Sequence, residues 1–418
     1  MNKAIKIIIS LFVGFILLAG VFSAGLLAGN LIPATGQLPI IRDIVPLVPT
    51  VEPEQQSSTP EGYQTLFAPF WEAWNIVHNN FVDQPLDDVA LMRGAIRGMM
   101  DAVGDKQTYY MDPVVYESAT SQLSGDYEGI GAYVDTQGEY LTIISPIEGS
   151  PAEAAGLKPG DQIIAIDGVD MTGTAPEEAR QKVLGPAGTT VKLTVARKGQ
   201  EEPLEFVITR ATITIPSVTG KMLENDIAYI DINQFGDKTT SELNAVLDEL
   251  IAQNPKGVII DLRNDGGGYL QTSIEVASEF IDKGVILYEQ YGDGTRDTYN
   301  ALGNGRATDL PIVVLVNEGS ASASEILAGA LQDYGRAKLV GVQSYGKGSV
   351  QQWIPLSNDN GAARVTVARW LTPKERLIDG VGLTPDFVVE LTEDDAANNR
   401  DPQLDKAVEV LLDLIAGK

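Results

Sequence analysis

The stretch Val258-Ile259-Ile260-Asp261-Leu262-Arg263-Asn264-Asp265-Gly266-Gly267-Gly268 decides the fold of this 418-residue chain. An apolar run with no polar alternation reads as a strand covered on both faces. It enters a glycine-rich loop and then the helical pattern Tyr269–Phe280. Glycines there can turn backbone N–H groups toward a ligand. The phosphate-loop spacings GxxxxGK[ST] and GxGxxG are absent, so an anion pocket for a carbonyl oxygen fits better. Outward from this stretch the same alternation recurs. Ile227–Ile232 and Ile312–Val316 are strand-like, and Thr239–Gln253 and Ser324–Asp333 are helical. The layout is α/β with a largely buried sheet. A last amphipathic stretch, Gln403–Ala416, is expected to dock or to pair with another chain.

Composition narrows the chemistry. Apolar residues make up 44% and charged residues 21%, enough for a packed core. Cysteine is absent, which excludes a thiol nucleophile, disulfides and thiolate metal sites. The one histidine, His78, ends the face Phe67, Phe70, Trp71, Trp74 and Val77 of a predicted helix and reads as a structural side chain. A single histidine also excludes a multi-histidine zinc site. With 30 Lys+Arg against 57 Asp+Glu the formal charge is −27, so nucleic acid is not an expected partner.

Residues 1–30 carry Lys3 and Lys6 ahead of an apolar run from Ile7 to about Gly29, long enough for one transmembrane helix. A cleaved signal peptide is the competing reading. Both place the rest of the chain outside the cytoplasm, since the lysines precede the run. The favoured expectation is a single-pass membrane anchor. Residues 31–62, with six prolines between Pro33 and Pro60, read as a spacer. Residues 63–124 are helical, 125–212 form a compact module of short strands and glycine turns, 213–395 hold the α/β part, and 396–418 the last helix.

Two further segments carry chemistry. In Val316-Asn317-Glu318-Gly319-Ser320-Ala321-Ser322-Ala323-Ser324-Glu325-Ile326 a strand ends, small residues turn and a helix begins. Small neighbours let a substrate approach a serine hydroxyl, and the helix N-terminus offers N–H groups to an oxyanion. The rival reading is a capping box of Ser322 with Glu325. In Ser344-Tyr345-Gly346-Lys347-Gly348-Ser349-Val350-Gln351 the lysine lies between glycines at the start of a strand-like run. In an extended run Lys347 and Gln351 point to one face. Burial would lower the amine's pKa and make it a general base for a serine, with Gln351 accepting a hydrogen bond from it. The rival is a surface lysine in a hairpin.

Together these residues resemble a carboxy-terminal processing peptidase, a tail-specific serine protease family, from about Phe67 to the C-terminus. Lys347 follows Ser322 by 25 residues and Gln351 follows Lys347 by four, which matches the family spacing. The resemblance implies Ser322 as nucleophile, Lys347 as general base and Gln351 as its orienter. It implies an oxyanion hole from Ala323 with a glycine of the Gly267–Gly268 pair. It implies a crotonase-like core with an inserted PDZ domain, fitted by residues 125–212. Gly129, Ile130, Gly131 and Ala132 would then hold the carboxylate of a substrate tail added as an extra strand. No metal or organic cofactor is expected. Partners are proteins or peptides with free C-termini, the membrane, and a second copy of the chain. Two departures stand out: Leu184 replaces a basic residue before Gly185, and Gly104-Asp105-Lys106-Gln107-Thr108 lacks the usual proline and histidine. The alternative function is a PDZ scaffold that binds tails without cutting them. A crotonase-like acyl-CoA enzyme is disfavoured by the export segment.

Overall fold

The computed structural model describes residues 63–417. The expected membrane segment lies outside them, and among the described residues no helix is long and apolar enough to cross a membrane. The chain divides into two compact units, Met1–Leu86 and Asp87–Lys418. In the first, the helix Ala68–Asn80 forms where the aromatic spacing predicts it. Trp74 stacks on His78, whose Nδ1 donates to the Trp74 carbonyl at 2.8 Å.

The second unit is built around a six-stranded sheet. Its order is Val218–Leu223, Ile227–Ile232, Gly257–Asp261, Ile312–Val316, Ala337–Gly341, Phe387–Val388. The first pair is antiparallel and the rest are parallel. Alternate residues of each strand serve opposite faces. Val258, Ile260, Val314 and Val316 pack under the helices Thr239–Ile251, Leu270–Ser278 and Ala323–Asp333. Ile259, Val313 and Leu315 pack against Ala407, Val410 and Leu411 of the helix Pro402–Ile415. That second layer realises one of the two outcomes expected of the last helix. The last helix docks on its own sheet, because its apolar stripe completes a core that would otherwise be open. Asp401 caps it, accepting the Leu404 N–H at 2.9 Å.

A second, antiparallel sheet joins Tyr109–Met111, Ala362–Leu371, Val285–Tyr291 and Arg296–Asn300, with Ser349–Pro355 also paired to Ala362–Leu371. The inserted module is a separate sheet in the order Ala132–Asp135, Leu141–Pro146, Gln162–Ile166, Thr190–Ala196, Leu204–Thr209. It has its own core of Ile143, Ile163, Val191 and Leu193. It leaves and rejoins the chain through one antiparallel ribbon, Asp126–Gly129 with Ala211–Thr214.

Candidate active site

The loop after Gly257–Asp261 and the turn after Ile312–Val316 lie side by side at the C-terminal ends of neighbouring parallel strands. Side chains stitch them together. Ser320 Oγ donates to the Leu262 carbonyl at 2.7 Å, and Ser324 Oγ to the Asp265 carbonyl at 2.9 Å. Asn317 Oδ1 accepts the Asn264 N–H at 2.8 Å. The small residues of the turn thus carry hydroxyls and amides that fix the loop as well as leaving room beside it.

Ser322 sits at the junction with φ +57° and ψ −115°. A bland cap residue takes an extended conformation, as Ser150 does at φ −80° and ψ 160°. A non-glycine residue in the region of Ser322 costs on the order of 1–3 kcal/mol, and such strain collects at functional sites. The strain separates Ser322 from an ordinary helix start, even though Glu325 does occupy the capping-box position.

Glu325 does more than cap. It is 1% exposed, and its two oxygens accept four hydrogen bonds. Oε2 takes the N–H groups of Ser322 and Lys347, both at 2.9 Å. Oε1 takes the Ser344 hydroxyl at 2.6 Å and the Gly346 N–H at 2.7 Å. One buried carboxylate therefore ties the serine turn to the lysine loop. The spelling Ser-x-x-Glu signalled this contact but not its reach across 22 residues to Lys347.

Lys347 is largely buried, and its carbonyl accepts the Trp370 indole N–H at 3.0 Å. Burial, together with the positive charge of Arg364, lowers its amine to about 8, and Glu325 opposes both. Ser322, Lys347, Gln351, Ala323, Gly267 and Gly268 all line one cavity of about 740 Å³. Lys347 and Gln351 reach this one cavity without an unbroken strand between them. The strand begins only at Ser349, and its pairing shifts between Val350 and Gln351. Gln351 donates to Ser349 Oγ at 2.9 Å, and its Oε1 accepts Arg364 Nη2 at 3.0 Å. Among the described hydrogen bonds none joins Gln351 to the Lys347 amine.

The oxyanion expectation also sharpens. The Gly267 N–H donates to Asp265 Oδ1 at 2.8 Å, so it is not free for a substrate. The N–H groups of Gly268 and Ala323 have no protein partner among the described residues. A Cβ on Gly267 would lie 2.8 Å from Ala323 N, so only glycine keeps that corner open. Asp265 itself is fully buried, with Oδ2 unpartnered. Burial pushes its carboxyl up to about 8. It is mainly a neutral acid at neutral pH, which the sequence did not reveal.

Deeper still, Arg263 joins Asp261 at 2.6 Å and Asp401 at 2.9 Å, tying the strand end to the last helix. Among the described residues no group of three or more acidic or histidine side chains could hold a metal ion.

The module's groove, about 900 Å³, is lined by Ile130, Gly131, Ala132, Leu141, Val183 and Leu184 among others. Ala132–Asp135 is an edge strand. Gly131 has φ +78°, and a Cβ there would lie 2.4 Å from Ser150 Cβ. The Ile130 and Gly131 carbonyls are used internally by Ala152 N–H at 2.8 Å and Ile147 N–H at 3.0 Å. Their own N–H groups have no protein partner among the described residues. Gly129 serves differently: it belongs to the connecting ribbon, with Leu184 and the Tyr127 ring against it. Burial raises the pKa of the Tyr127 phenol, and the nearby Ala132 N–H opposes the shift.

The profile of peptidase family S41 matches residues 226–389, and that of the PDZ domain matches residues 142–197. A carboxy-terminal-processing protease of Bartonella bacilliformis is 39% identical over 344 residues, 80% of this chain and 78% of its own. The chain belongs to peptidase family S41. It is a serine peptidase carrying a PDZ domain. A carboxyl-terminal-processing protease of Synechocystis is 38% identical over 350 residues, 82% of this chain and 81% of its own. Among solved structures, a putative S41 protease from Bacteroides fragilis matches with a TM-score of 0.51 at 15% identity, covering 81% of this chain and 93% of that one, which supports the fold.

Proposed function

We propose that this chain is a membrane-anchored, extracytoplasmic endopeptidase that cleaves proteins near their C-termini by a Ser-Lys mechanism on a crotonase-like core. The observation that carries the reading is the pairing of a strained Ser322 with a buried, readily neutralised Lys347 on one cavity, both held by Glu325. Neutral Lys347 Nζ takes the proton of Ser322 Oγ as that oxygen bonds to the scissile carbonyl carbon. The oxyanion that forms is held by the N–H groups of Ala323 and Gly268. The lysine returns its proton to the leaving amine. Water then attacks the Ser322 ester by the same base and releases the enzyme. Gln351 completes the site from the neighbouring strand.

The free N–H groups of Ile130 and Gly131 and the edge strand Ala132–Asp135 suit a C-terminal tail: carboxylate on the loop, apolar side chains in the groove, main chain added to the sheet. The anchor would be residues 1–30 and the spacer 31–62, keeping the peptidase at the outer membrane surface. Mass spectrometry of an unfolded protein with an apolar tail tests the reading. Parent protein should release fragments cut near the C-terminus, and amidation of the tail should slow the reaction. Ser322→Ala and Lys347→Ala should release none while still binding the tail. Cleavage by both variants at the parent rate would sink the assignment.

A further inference from the structure

We propose that Arg364 is a positioning residue of the peptidase site, which pins Gln351 and sets a permanent positive charge on the cavity that Lys347 lines. This rests on the Ser322–Lys347 reading and extends it to a residue that no motif marks.

Arg364 lies on the Ala362–Leu371 strand, flanked by Trp353 on one side and Tyr109 on the other. It lines the same cavity as Ser322 and Lys347. Nη2 donates to Gln351 Oε1 at 3.0 Å and Nη1 to Gln107 Oε1 at 3.1 Å. The guanidinium stands over the Tyr109 ring, 5.0 Å from its centroid. Its Nε–H is buried and unpartnered.

The choice of partners is informative. Some arginines in this acidic chain face carboxylates, as Arg197 faces Asp161 and Arg263 faces Asp261, while Arg210 and Arg336 bond backbone carbonyls. Arg364 has no ion-pair partner among the described residues. Two neutral amides and a ring hold it in place, and no carboxylate is bonded to it. A carboxylate in place of Gln107 or Gln351 would neutralise it. Asp105 feels the charge of Arg364 through space. That carboxylate is occupied by the Thr108 hydroxyl, the Thr366 hydroxyl and the Gln107 N–H.

A guanidinium cannot shed its proton, and a fixed cation disfavours a second one nearby. The charged groups acting on Lys347 are Arg364, which favours the neutral amine, and Glu325, which favours the ammonium. Glu325 is needed to hold the two loops, so a cation that offsets its pull has a reason to be there. The arrangement also gives a role to the segment Gly104–Thr108. Gln107 reaches Arg364, while Asp105 and Thr108 fasten that segment to Thr366, 258 residues away at the Thr366 N–H to Thr108 Oγ1 bond.

The test is the pH profile of kcat/KM for the full chain, with a quenched peptide bearing an apolar free C-terminus. Arg364→Met should displace the rising limb to higher pH. The rate at pH 7 should fall about threefold to tenfold below that of Arg364→Lys, the effect of half a unit to one unit in the base, and recover to the Arg364→Lys plateau above the displaced limb. Arg364→Lys keeps the charge and loses the fork, so kcat should fall with the limb and KM in place. Ser322 labelling by a fluorophosphonate, followed against pH in Arg364→Gln, repeats the measurement if the methionine variant does not fold. A uniform loss across pH with the limb unmoved, or no recovery of cleavage or labelling at high pH, overturns the proposal. Lys347→Ala separates the two layers: if it cuts like the parent, the Ser-Lys reading fails first, whatever Arg364 does.

Discussion

Replacing Glu325 with glutamine exchanges one oxygen for an NH2 group and should cripple the site. All four of its hydrogen bonds are accepted ones, two on each oxygen. An amide keeps one accepting oxygen and offers two N–H donors. If the nitrogen takes the Oε2 place, it confronts the N–H groups of Ser322 and Lys347, and neither can turn away. If it takes the Oε1 place, the Ser344 hydroxyl can rotate and accept, and only the Gly346 N–H is left unmet. The second arrangement is cheaper. It still loses one charge-assisted bond in a dry setting, about 1.5–3 kcal/mol, and weakens the two that remain. Urea unfolding followed by tryptophan fluorescence should show a loss of that size. Activity should fall further than stability, because Gly346 leads directly into Lys347. With the carboxylate gone, its pull toward the ammonium also goes, so the surviving activity should rise at lower pH than in the parent. Parent-like stability, rate and pH profile together would refute the view that one carboxylate holds nucleophile and base in register.

The same geometry sets two other outcomes. With Lys347 at about 8, the amine is neutral in roughly one molecule in ten at pH 7, so kcat/KM should rise about fivefold from pH 7 to pH 8 and level off above pH 9. The unfolded chain binds this proton more tightly than the folded one between about 8 and 10.5, so Lys347 makes stability rise with pH across that window. Lys347→Met should lose both the rate limb and that rise in denaturation profiles. Tyr127→Phe removes the phenol oxygen that stands near the Ala132 N–H, so a tail peptide that needs this N–H should bind the Ser322→Ala enzyme more tightly by anisotropy, by up to about 1 kcal/mol for one hydrogen bond. Weaker binding would mean that the phenol belongs to the tail site and does not compete with it.

The buried sheet was legible because Val258–Leu262 and Ile312–Val316 are apolar without alternation, which only a strand covered on both faces explains. Small residues around a hydroxyl and glycines around an amine left a helix cap and a surface lysine open, and only the family spacing singled out Ser322 and Lys347. The link between Lys347 and Gln351 was not legible. Parity counting assumes an unbroken strand, and the shift between Val350 and Gln351 breaks it. Arg364 and Gln107 escaped because they meet only when Tyr109–Met111 pairs with the Ala362–Arg364 end of a strand far along the chain. Asp265 looked like a polar loop residue. Burial raises its carboxyl pKa, with the charge of Asp231 adding to the shift, and no local pattern encodes either. The last helix was seen, but an apolar stripe does not say which surface it will cover.

The ribbon Asp126–Gly129 with Ala211–Thr214 makes the PDZ domain a cassette. Its incoming and outgoing strands are hydrogen-bonded neighbours, about 5 Å apart, before the domain begins. That pairing closes the base of a hairpin stem from which the domain projects. Another peptide-binding domain with adjacent termini could be grafted at Gly129 and Ala211 without re-routing the rest of the chain, and the enzyme would inherit a new tail preference.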